Sequence, residues 1–132
     1  RAELHAFLQR NAERLARACE KLRAGDTGLA ARVEETRRKL EGLAPLLDSP
    51  TQLDLEDLER RLTVLEEKLT ASLTAAANEE LLLEIRREMD RALSSYRRKM
   101  TAEQLAQLER QYTQKRLFEK HDLPRLSLFY LT

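Results

Sequence analysis

Leucines at Leu55, Leu58, Leu62, Leu65 and Leu69 are separated by alternating steps of three and four residues. That rhythm stacks them along one side of a helix and leaves an apolar seam that another helix must cover. The same beat resumes at Leu82, Ile85, Met89, Leu93, Tyr96 and Met100, after the small-residue stretch Ala75, Ala76, Ala77 and Asn78. Ala is the strongest helix former, so the spacing predicts a long central helix over residues 50–99, kinked if anywhere near 75–78. Unbroken, it would be about 75 Å long at 1.5 Å per residue.

The remaining segments supply partners for that helix. Helix 1 is expected over residues 1–24, where Leu4, Leu8, Leu15, Ala18, Cys19 and Leu22 share a face. Asn11 falls on the same seam, where it either specifies register or sits solvated near a helix end. Gly25, Asp26, Thr27 and Gly28 form a stop and a new cap, and helix 2 follows over residues 28–46. Ser49 and Pro50, with Gln52 three residues after the cap, read as a start for the central helix. Thr101 and Gln104 form a capping box flanked by Met100 and Leu105, so a further helix is expected over residues 102–121. His121, Asp122, Leu123 and Pro124 end it. Residues 124–132 then read as a short extended tail, apolar on both faces.

The fold class predicted is therefore all-α: antiparallel helical hairpins or a coiled coil built on a long central helix, with a short extended C-terminal tail. With 132 residues, three Gly, three Pro and no Trp, the chain suits a single helical domain with a leucine-based core. It opens on Arg1, and we read it as a fragment of a longer polypeptide.

Chemistry-bearing patterns are sparse. There is no H-E-x-x-H, no Glu-x-x-His pair, no C-x-x-C and no Gly-rich phosphate loop, so neither catalysis nor a cofactor or metal is expected. Adjacent His121 and Asp122 read as the polar end of a helix, and Cys19 as a small buried hydrophobe. No apolar run is long enough for a membrane span, and a lone cysteine suits a reducing interior; the expectation is an intracellular protein, cytoplasmic or nuclear.

Two functional readings follow. The first is a non-catalytic module for self-association and protein–protein interaction, a scaffold or adaptor working as a homodimer or higher oligomer. Its interface would comprise Leu55, Leu58, Leu62, Leu65, Leu69, Leu126, Leu128, Phe129 and Tyr130. A variant of it clamps an amphipathic helix between two hairpins. The second is a nucleic-acid-binding accessory protein using basic helix faces on a dimeric coiled coil, through Arg10, Arg14, Arg17, Lys21, Arg97, Arg98 and Lys99. Against it, 24 basic and 23 acidic residues leave a net charge of only +1. Residues 1–24 carry +3 and residues 48–75 carry −4, a complementarity that steers the first helix onto the central one, within the chain or across a dimer. The residues carry no resemblance to a known family.

Overall fold

A computed structural model describes residues 1–49 and 51–131. These contain five α-helices and no strand: α1 (Ala2–Arg23), α2 (Thr27–Leu43), α3 (Leu55–Ala76), α4 (Glu79–Leu93) and α5 (Ala102–Lys120). Single 3-10 turns occupy Pro45–Asp48, Arg97–Lys99 and Leu128–Tyr130. The all-α expectation holds.

The helices pack in a chain of neighbours. α1 lies on α2, α2 on α3, and α5 reaches both α3 and α4. Between them runs one apolar core, into which α3 contributes Leu58, Leu62, Leu65, Leu69 and Leu73. The central seam is therefore covered within the chain, by α2 on one flank and by α5 with the tail on the other. α1 adds Phe7 and Ala12 to the leucines expected there, both almost fully buried. Asn11 is buried too, at 3% exposure, with its Nδ2 lacking a protein partner. Within the chain the electrostatic match between residues 1–24 and 48–75 does not set the packing, because α1's principal neighbour is α2.

The unbroken central helix is not formed. α3 ends at Ala76, Ala77 turns extended at ψ 139, and Asn78 starts α4 by accepting the Leu81 N–H on its side chain at 2.8 Å. Glu79 and Glu80 follow in the first turn, where the helix dipole favours carboxylates. Alanine's helix propensity loses here because Ala75 and Ala76 are exposed and bury nothing that would hold the helix straight. The cap and two acidic residues support a restart instead.

The start of the central helix also shifts. Pro50 lies outside the described residues, and α3 begins only at Leu55, capped by Asp54, whose side chain accepts the Asp57 N–H at 2.8 Å. Leu53 and Leu58 stand at the two positions of a hydrophobic staple around this cap, 2% and 0% exposed. A staple that also fills the core outweighs the Ser49 box, which buries nothing comparable.

Other ends follow their local chemistry. Asp26 caps α2 by accepting the Leu29 N–H at 3.0 Å, and Thr101 with Gln104 completes the capping box of α5. No glycine adopts positive φ, so Gly25 follows α1 without the left-handed conformation. That conformation appears at Asp122 (φ 56) after α5, where the Leu123 N–H reaches the Phe118 carbonyl at 2.9 Å. Leu123 and Phe118 are both buried, giving the apolar contact that accompanies such a stop. This turn sends the tail back over α3. The tail is not a strand: Leu123, Pro124 and Leu126 plug the core, and a 3-10 turn follows at Leu128–Tyr130.

Candidate interaction surface

Two carboxylates seven residues apart lie on one face of α3 and hold the tail. Glu66, 6% exposed, accepts the Leu126 N–H at 2.6 Å and the Arg125 guanidinium at 2.9 Å. Glu59 accepts the Leu128 N–H at 2.7 Å and the Ser127 hydroxyl at 2.6 Å. Alternate amides of the tail thus meet carboxylates about two helical turns apart, with the tail running towards the start of α3. Arg125 also donates to the Gln114 carbonyl at 2.7 Å, and Gln114 donates onward to Thr70 at 2.9 Å, tying α5 into the network. The guanidinium carbon sits 5.3 Å from the Phe118 ring and 4.7 Å from the Tyr130 ring. Charge-assisted bonds of this kind are roughly twice as strong as neutral ones.

This arrangement divides the nine expected interface residues. Leu58, Leu62, Leu65, Leu69 and Leu126 are buried by the chain's own helices and tail, and Leu128 is half-buried against the core. Leu55, Phe129 and Tyr130 remain exposed, at 62%, 83% and 39%. Phe129 and Tyr130 line a groove between the middle of α3 (Thr63, Glu66, Glu67) and α5 (Gln111, Gln114), whereas Leu55 stands at the first position of α3. Phe129 and Tyr130 meet edge to face with centroids 5.2 Å apart.

The basic residues divide similarly. Arg10, Arg14 and Arg17 are exposed along α1 with no ion-pair partner among the described residues, while Lys21 pairs with Asp122 at 3.3 Å. Arg97 bonds Asp90 and lies 3.8 Å from Glu109, so part of its charge is neutralised; Arg98 and Lys99 are exposed beside it. The two groups belong to different segments, α1 and the 3-10 turn after α4.

No protein-family model, curated protein or solved structure matches this chain.

Elsewhere the titratable groups are structural. Glu34 is pulled down to about 2 by hydrogen bonds from Arg37, whose guanidinium is pushed up by Glu34 and Glu41. Arg116 of α5 grips Glu88 of α4 at 2.7 Å, holding that carboxyl below its ordinary range. Burial pushes the Cys19 thiol up, with Glu34 adding to it, and the sulfur faces the Ala30 carbonyl at 3.6 Å. Burial pushes His121 down. Among the described residues no group of three or more His, Cys, Asp or Glu converges as metal ligands would. No helix there is long and apolar enough to cross a membrane.

Sequence reasoning missed Glu59 and Glu66 because each looked like an ordinary surface charge on the polar side of a leucine helix. Their seven-residue spacing, opposite a tail with alternating leucines, was the signal available.

Proposed function

We propose that this chain is a non-catalytic helical module whose role is self-association and protein–protein interaction inside the cell, in the manner of a scaffold or adaptor. The observation that carries the reading is the exposed aromatic pair Phe129 and Tyr130 on a tail anchored to α3, with Leu55 also exposed at the start of that helix. Aromatic side chains presented with little freedom left to lose make efficient interface anchors. The α3 seam itself lies outside this interface, since a second copy would have to displace α2, α5 and the tail.

Sedimentation equilibrium across the micromolar range tests it. The mass should rise with concentration for the native chain and fall to that of the monomer in Phe129→Ser and Leu55→Glu variants of unchanged helicity. A native chain that stays monomeric throughout counts against self-association.

A second reading, nucleic-acid binding, is favoured by the unpaired Arg10, Arg14 and Arg17 on α1. Retardation of duplex or single-stranded nucleic acid should then weaken steeply with salt. Replacing the three arginines should reduce the log–log salt slope by about 2 to 3. No retardation at low salt removes this reading.

A further inference from the structure

A second open surface lies on the α2 side of α3. Between the C-terminal part of α2 and the first half of α3 runs a groove of about 430 Å³, floored by Leu43, Leu46, Val64 and Leu65. Val64 is 42% exposed at its centre, so the floor is open and not a sealed core defect. The rim is cationic on both sides: Lys39 comes from α2, and Arg60, Arg61 and Lys68 from α3. Lys39 is partly neutralised by Glu35 at 3.2 Å and Arg60 by Asp57 at 2.7 Å, both on the same helix as their partner. Arg61 and Lys68 have no carboxylate within ion-pair distance among the described residues.

We propose that this groove docks an acidic amphipathic helix of a partner protein, which packs its apolar stripe on Val64 and Leu46 and sets carboxylates against Arg61 and Lys68. Three features of the groove favour that occupant. An apolar strip between two packed helices is the notch a third helix fills, with anchors repeating at three, four and seven residues. Residues 60–68 of α3 advance about 12 Å, a little over two helical turns, which matches such a stripe. A cationic rim repels a basic helix and attracts an acidic one, raising both the encounter rate and the discrimination. A phosphate backbone would satisfy the rim but leave the leucine floor wet, so it accounts for only half of the surface. This groove is lined by none of Leu55, Phe129 and Tyr130, and the docking does not depend on self-association through them.

The full chain, isotopically labelled for NMR, would be titrated with a designed helical peptide of about 18 residues bearing leucines at heptad spacing flanked by Glu. The control is the same peptide with Lys in place of Glu. At low salt the acidic peptide should shift the amides of Gly42, Val64 and Lys68, and its affinity should weaken about tenfold on raising salt to 0.5 M. Val64→Glu, and separately the Arg61→Glu/Lys68→Glu pair, should each lower the affinity at least about tenfold while circular dichroism stays unchanged. Phe129→Ser should leave it intact, which separates this site from the association edge. The proposal is overturned by any of four results: no shifts at the groove, equal binding of the Lys peptide, equivalent shifts on adding duplex DNA, or the same shifts arising from protein concentration alone.

Discussion

The backbone amide of Leu126 donates to the carboxylate of Glu66 at 2.6 Å, across sixty residues of sequence, and both groups are buried. With Arg125 on the other oxygen of the same carboxylate at 2.9 Å, this one side chain fixes where the tail closes the core. Removing it strands a guanidinium and an amide that have little access to water.

Glu66→Ala should therefore destabilise the fold by about 3 to 5 kcal/mol in urea titrations, as expected when one partner of a buried ion pair is lost. Glu66→Gln, which retains an acceptor, should cost less, about 1 to 3 kcal/mol. Limited proteolysis should cut after Arg125 much faster in both variants. A Glu66→Ala protein as stable as the native one would show that the tail is not held this way.

The α3 seam is internal, and single leucines separate that arrangement from an intermolecular zipper. Leu62→Ala, at a fully buried position, should cost about 2 to 5 kcal/mol. Leu55→Ser, at a position 62% exposed, should change stability by no more than about 0.5 kcal/mol. Neither difference should depend on protein concentration in denaturation curves; a midpoint for Leu62→Ala that climbs with concentration would place that leucine between chains.

Asn78 holds the start of α4 through its bond to the Leu81 N–H. Asn78→Ala removes the cap and should cost about 0.5 to 2 kcal/mol. Asn78→Asp should come close to the native stability, since aspartate caps as well and suits the dipole.

The pH response follows from carboxylates held low in the folded state. Glu34, drawn from an ordinary 4.5 down to about 2 by Arg37, binds its proton less readily folded than unfolded. Its contribution is thus present above pH 4.5 and is lost as pH falls from there towards 2; Glu88, held low by Arg116, acts with the same sign. Urea midpoints measured down through this window should fall, and Arg37→Met should flatten the decline. Equal slopes in the two proteins would show that the Glu34–Arg37 pair carries none of it.

Cys19 is 1% exposed with its thiol pKa pushed up by burial, so it should resist a thiol reagent at neutral pH and react fully in denaturant. Rapid modification of the native protein would mean that the α1–α2 contact opens readily.

The leucine spacing alone determined that the chain is helical and which residues of α3 are apolar, because a 3.6-residue period permits one inward face. It likewise determined the Thr101–Gln104 box, whose partners lie three residues apart and need no tertiary help. Tertiary structure decided the rest. The choice between Ser49 and Asp54 as a cap turned on whether a leucine beside it reached the core, and the fate of the alanine joint turned on whether anything lay against it. Whether a seam faces its own chain or another depends on the turn at Asp122 and on Glu59 and Glu66. Those carboxylates read as solvated charges until a tail sixty and more residues away brings its amides to them. Local periodicity fixes which face can be buried, while only the folded chain specifies what buries it and leaves Leu55 of the same seam exposed.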